Sequence, residues 1–211
     1  MSVLNTRSFV LAALLSAPFL SQPASAVRCA DCNVDGPSAP PQQAPGCLAA
    51  GTLVTTDTGG QLAVEQVLRG QRLTALEKLG TPSASGGSNT PTFESNLVTT
   101  VYSAPNTHQM YRLTDSLGHV LTATDHHPIF TVNRGAVQLA KLNAADILLT
   151  TQGRASVARL ERVNDSGQVY NFVVELGNNR GNQGRRASHT FFAGGILVGD
   201  MDVQQALEGV K

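Results

Sequence analysis

The 211-residue chain has no excess of either charge, because 15 Lys and Arg balance 15 Asp and Glu. A protein that grips nucleic acid carries a basic patch or stripe. That footprint is missing, which excludes nucleic acid as an expected partner. The one local concentration of cations, Arg180, Arg185 and Arg186, lies in a Gly- and Asn-rich stretch that reads as a solvated loop. Long apolar runs are also lacking. Beyond residue 26 no segment approaches the ~20 apolar residues that span a bilayer, so stable membrane insertion is excluded. Cysteine is scarce, with only Cys29, Cys32 and Cys47. The lone Cys-x-x-Cys has neither the second pair of a zinc site nor the βαβ context of a thioredoxin-like motif. Neither a metal nor an organic cofactor is implied.

What is present begins at the N-terminus. Arg7, an apolar run over residues 9–20 and Ala24-Ser25-Ala26 together read as a secretory signal peptide covering residues 1–26. The mature protein is expected to be secreted and to start near Val27. An odd cysteine count in an oxidising compartment leaves one thiol over, or pairs it between molecules. Two arrangements stay open: a local Cys29–Cys32 bridge that leaves Cys47 reactive, or a disulfide from Cys47 to either neighbour that silences it. Residues 27–46 form a leader whose second half is Pro-rich and too poor in apolar residues to fold.

Beyond Cys47 the pattern is all-β. Thr52-Leu53-Val54-Thr55-Thr56 alternates, Asp57-Thr58-Gly59-Gly60 reads as a turn, and Gln61-Leu62-Ala63-Val64 resumes the run. Residues 110–114 and 120–124 flank a second turn at Asp115-Ser116-Leu117-Gly118. Residues 157–163, 169–175 and 190–198 complete the set, and the apolar run 191–198 reads as one buried strand. Turns this closely spaced favour an all-β domain over a βαβ one. Val64-x-x-Val67-x-x-Gly70-Gln71-x-Leu73 can be laid over Leu139-x-x-Leu142-x-x-Ala145-Asp146-x-Leu148, which suggests two related β subunits in one domain. Between them, residues 80–91 carry a low-complexity signature and read as a long surface loop.

Cys47 stands where the leader meets this domain. A thiol there can attack the carbonyl of Gly46 and turn the Gly46–Cys47 amide into a thioester. The shift needs a proton for the Cys47 nitrogen and stabilisation of the developing oxyanion. An imidazole, with an unperturbed pKa near ~6.5, suits the first task at neutral pH.

Three segments together resemble the hedgehog/intein family of self-processing domains, the Hint domains. Cys47-Leu48-Ala49-Ala50-Gly51-Thr52-Leu53-Val54 looks like the N-terminal block. Thr124-Asp125-His126-His127-Pro128 carries the Thr-x-x-His-Pro arrangement of the next. Val169-Tyr170-Asn171-Phe172-Val173-Val174-Glu175 with His189-Thr190-Phe191-Phe192 is similar to the C-terminal block. The resemblance implies a Hint fold of two pseudo-symmetric β subunits over residues 47–200, with residues 201–211 as a tail.

It also implies catalytic roles for Cys47, Thr124, His127 and His189. Thr124 would position the carbonyl or the amide nitrogen of the Gly46–Cys47 cleavage site, and His127 is preferred to its neighbour His126. Asp125, Asn171 and Asp200 would play minor parts. The bland reading of residues 124–128 is a hydrogen-bonded strand end.

The sequence departs from the splicing pattern at Val198-Gly199-Asp200-Met201. Gly199 replaces the assisting His, Asp200 the cyclising Asn, and Met201 offers no nucleophile. Asn171 stands where many inteins carry Asp. Glu94 is the nearest match to the carboxylate that activates a sterol hydroxyl in hedgehog-type domains, and the tail is too short for a sterol-recognition module.

The expectation is a monomeric, self-cleaving domain whose substrate is its own leader, with water or a small nucleophile taking the acyl group, and no splicing. His189 is expected to serve a structural or proton-buffering role. The alternative is a catalytically degenerate secreted scaffold or interaction module.

Overall fold

Short runs of β-branched and apolar residues, cut by Gly and Asp turns, form strands throughout. The computed structural model has fourteen of them and a single α-helix among the described residues, 46–78, 91–176 and 189–209. The leader with Cys29 and Cys32, all but the last residue of the low-complexity segment, and Arg180, Arg185 and Arg186 lie outside the described residues. The all-β expectation holds.

Two halves follow the same plan. The first contains β1 (Leu48–Ala49), β2 (Leu53–Thr55), β3 (Gln61–Ala63), β4 (Arg72–Lys78), β5 (Thr92–Pro105) and β6 (Met110–Asp115). The second contains β7 (Val120–Thr124), β8 (Pro128–Thr131), β9 (Gly135–Gln138), β10 (Ile147–Thr150), β11 (Gly153–Val163) and β12 (Gln168–Leu176). Val54 pairs with Leu62 between β2 and β3, and their counterparts Ile129 and Val137 pair between β8 and β9. Each hairpin runs into one 3-10 turn, Val64–Gln66 or Leu139–Lys141. The residues entering the turns have nearly the same backbone, Ala63 at φ −65°, ψ 140° and Gln138 at φ −62°, ψ 138°. The repeat seen in the sequence falls on equivalent places: Val64 and Leu139, Val67 and Leu142, and Leu73 and Leu148 are all buried.

The halves interlock. Strand β5 pairs with β12, and β11 pairs with β6, so the long strand of each half hydrogen-bonds the last strand of the other. At the centre, Leu48 of β1 pairs with Ala123 of β7 on one side and with Tyr170 of β12 on the other.

Residues 191–198 are not one strand. They form a hairpin of β13 (Thr190–Ala193) and β14 (Ile196–Gly199), in which Phe191 faces Val198 and Phe192 faces Leu197. The two-residue turn needs positive φ at both central positions, and Gly194 (φ 55°) and Gly195 (φ 79°) supply it. A Cβ at Gly194 would also run into the Val120 carbonyl oxygen. The run is uniformly apolar because β13 pairs with β2 of one half and β14 with β8 of the other, so the hairpin is enclosed between them. Residues 201–208, read in the sequence only as tail, form α1 (Met201–Glu208). The Asp200 carboxylate accepts from the backbone N–H groups of Asp202 and Val203 to cap it, and Gly209 closes it at φ 73°. Met201 and Gln204 are buried where α1 packs on β8, β9, β12 and β14. No helix among the described residues is long and apolar enough to cross a membrane.

Leu73 and Leu148 occupy twin core positions with no exposure. Truncating either to Ala is expected to cost about 2–5 kcal/mol. Urea unfolding of Leu73→Ala and Leu148→Ala measures it, and a loss at one site alone would contradict the equivalence of the halves.

Candidate active site

Because β1 has only two residues and is paired on both edges, the residue before it is presented to β7 and β12 together. Thr124 is the last residue of β7. The Cys47 N–H donates to Thr124 Oγ1 at 2.7 Å, and the Thr124 N–H donates to the Cys47 carbonyl oxygen at 2.9 Å. The chain then turns tightly into β8, held by His127 N–H to Thr124 C=O at 3.1 Å, Ala140 N–H to Asp125 C=O at 3.0 Å and Leu139 N–H to His127 C=O at 2.9 Å. These bonds fix the backbone that carries the His127 ring.

The Gly46 carbonyl oxygen accepts two side-chain bonds. Asn171 Nδ2 on β12 donates at 2.6 Å, and His127 Nδ1 donates at 3.1 Å. Since a carbonyl oxygen only accepts, the ring proton belongs on Nδ1. Both side chains are fully buried. Asn171 is held in turn, its Oδ1 accepting from the Phe172 N–H at 2.8 Å. Glycine is required at position 46 by the closeness of the turn, as an added Cβ would lie 2.8 Å from the His127 nitrogen and 2.9 Å from the His126 carbonyl carbon. Two donors on one carbonyl oxygen, in a site closed to water, are the arrangement that stabilises a tetrahedral oxyanion.

Three solved structures with this architecture are inteins or intein-like. The DnaB intein from Synechocystis sp. PCC 6803 is 19% identical, with a TM-score of 0.55 over 74% of this chain and 98% of its own. A bacterial intein-like domain from Clostridium thermocellum is 24% identical, with a TM-score of 0.54 over 75% of this chain and 100% of its own. The gp41-1 intein is 19% identical, with a TM-score of 0.51 over 74% and 100%. The fold is the Hint fold. No protein-family profile matches the chain, and no curated protein does.

Within this fold the other candidate residues divide. His127, considered for the Cys47 nitrogen, bonds the Gly46 oxygen instead, and Thr124 holds the nitrogen. His126 turns away, its ring 41% exposed and its Nδ1 3.3 Å from Glu208. Asp125 lies between His126 and His108. His189 Nδ1 is 2.9 Å from Asp200 Oδ2 and 3.5 Å from Asp202 Oδ2, so its ring is committed to the start of α1. Glu94 sits on β5 opposite Ala75 of β4, whereas Cys47 lies beside β7 and β12. Asn171 is the residue whose importance the sequence understated. The available signal was a carboxamide inside an otherwise apolar run.

Burial sets the charge states. Desolvation lowers the His127 pKa to about 4 against the opposing pull of the Gly46 carbonyl bond and the negative charge of Asp200, so the ring is neutral at neutral pH. Its Nε2 is buried with no hydrogen-bond partner among the described residues. Desolvation pushes the Cys47 thiol up to about 12. His189 moves the other way, raised first by its hydrogen bond to Asp200.

A depressed imidazole pKa makes a definite contribution to pH dependence. Above about pH 6.5 His127 is neutral folded and unfolded, and costs nothing. As pH falls toward 4 the unfolded state gains a proton that the folded state refuses, so stability drops. With each pKa unit worth about 1.4 kcal/mol, the loss is about 3 kcal/mol. His189 works in the opposite sense: its contribution is complete below its unfolded pKa and is lost as pH rises through the raised folded value. The comparison of parent with His127→Gln isolates the first effect, since His189 is common to both. Denaturant unfolding between pH 7 and 4 should show the parent losing more stability than the variant; parallel curves would refute a neutral buried His127.

Proposed function

We propose that this Hint domain cleaves its own chain at Gly46–Cys47 by an N–S acyl shift and releases the leader to water or a small nucleophile, without splicing. The observation that carries the reading is the Gly46 carbonyl, bonded by Asn171 and His127 while its amide nitrogen is tied to Thr124. In the shift the Cys47 Sγ–C bond forms at the Gly46 carbonyl carbon. The oxygen takes negative charge between the two donors, the C–N bond breaks, and the thiol proton ends on the freed Cys47 amine. Hydrolysis or attack by a thiol, amine or hydroxyl then returns Sγ as thiol and frees the leader. The protonated resting thiol is a brake, so proton transfer must accompany attack. Secretion after loss of residues 1–26 belongs to the same proposal.

The absence of splicing is supported at the other end. The Asp200 carboxylate, where the resemblance puts a cyclising Asn, accepts from Asp202 and Val203 on Oδ1 and from Val174 and His189 on Oδ2. It is an anchor for α1, and Met201 is buried behind it. The rival reading, a degenerate scaffold, draws on the same thiol, which burial keeps protonated.

Intact mass of the protein lacking residues 1–26, incubated near neutral pH with and without hydroxylamine or a small thiol, tests the proposal. The expected products are a fragment beginning at Cys47 and a leader ending at Gly46, with a nucleophile adduct on the leader. Cys47→Ala should abolish them. Asn171→Ala should slow their appearance about 100-fold, the effect of removing one oxyanion donor. A single unchanged mass under reducing conditions, or a Cys47→Ala protein processed at the parent rate, would leave the scaffold reading in its place.

A further inference from the structure

Beside the junction, three ligand-type side chains converge without contributing to the chemistry above. Asp125 stands between two imidazoles, with Oδ1 3.7 Å from His108 Nδ1 and Oδ2 3.8 Å from His126 Nε2. Single donor atoms from the three residues all lie within 4.8 Å of one another. These separations are too long for hydrogen bonds. They suit atoms around a shared ion, since two ligands at about 2.0–2.2 Å from a tetrahedral zinc are roughly 3.4 Å apart.

A second observation points the same way. Asp125 Oδ1 is buried and has no hydrogen-bond partner among the described residues, which is a cost that a bound cation would remove. A third concerns His126. Glu208, from the last turn of α1, approaches its Nδ1 at 3.3 Å, and Glu208 Oε1 itself accepts from Gln204 Nε2 at 2.9 Å. A carboxylate on one ring nitrogen fixes the proton there and leaves the other nitrogen as a lone-pair donor, the usual support behind a metal-bound histidine. His108 also lines an open depression with Asn106, Met110 and Val163, so this ligand borders solvent.

We propose that His108 Nδ1, the Asp125 carboxylate and His126 Nε2 form a three-ligand site for a divalent transition-metal ion, zinc being the best chemical fit, with Glu208 orienting His126. Two imidazoles and one carboxylate favour such an ion over calcium or magnesium, which take oxygen ligands. Three protein ligands leave the fourth position to water. The other cluster of this type, His189 with Asp200 and Asp202, is a poorer candidate because the Asp200 oxygens already accept four hydrogen bonds. The site stands apart from the cleavage proposal, as the side chains bonded to the Gly46–Cys47 amide in the contacts described above are those of Thr124, His127 and Asn171.

The test is cobalt(II) and zinc titration of the full chain carrying Cys29→Ser and Cys32→Ser, which removes the competing Cys-x-x-Cys thiols. One equivalent should bind, with visible ligand-field bands and no thiolate charge-transfer band. His108→Ala and His126→Ala should each weaken binding at least 10-fold, and Glu208→Gln about 10-fold, while His189→Ala leaves it unchanged. Ring signals of the parent in NMR provide a readout independent of the variants' folding: zinc should shift those of His108 and His126 and spare that of His189. Absence of binding, equal affinity in the His108→Ala/His126→Ala double variant, loss of binding in His189→Ala, or unshifted His108 and His126 signals would each overturn the proposal.

Discussion

The double pairing of Leu48 is the constraint on which the candidate site depends. A strand of two residues has almost no stability of its own, yet β1 is held because Ala123 and Tyr170 take its two edges. Those partners come from β7 and β12, and each brings one polar side chain to the junction, Thr124 from the first and Asn171 from the second. The turn after β7 adds His127. Every group at the Gly46–Cys47 amide is thereby supplied by the second half, and reaches the amide only when β1 of the first half is seated between β7 and β12. A misplacement of β1 by one residue would turn the Cys47 side chain to the opposite face and dissolve the arrangement.

Burial acts in two directions here. It excludes water, so the two bonds to the Gly46 oxygen are electrostatically stronger than they would be at a surface. It also keeps His127 neutral and the Cys47 thiol protonated. The site is therefore arranged to stabilise negative charge on the Gly46 oxygen and not on the Cys47 sulfur. The proposed cleavage, which would happen once per chain, tolerates that imbalance better than an enzyme with many turnovers would.

The sequence carried the parts of this structure that are written in local patterns. The hairpin at residues 110–124 was legible from its turn, and the two halves from apolar spacing around Val64 and Leu139, because a 3-10 turn with a buried first residue leaves the same spacing wherever it occurs. The long strand β5 was not legible. It mixes buried and part-exposed positions along its length, since it serves one half at its start and the other at its end. The hairpin within residues 190–199 was hidden because both strands are buried on both faces, so nothing alternates and only Gly194-Gly195 marks the break. Asn171 looked like a departure from a pattern because its partner, the Gly46 carbonyl, is 125 residues away in sequence.

Asp200 also limits which residue can stand ahead of α1. Its four hydrogen bonds all come from donors, which a carboxylate satisfies with two acceptor oxygens. A carboxamide at the same place would turn an N–H₂ group toward a backbone N–H, either that of Val174 or those that begin α1. Such a substitution would therefore weaken the anchoring of α1. The residue ahead of α1 is thereby fixed as an acceptor on two sides, by the helix it caps and by the strand β12 behind it.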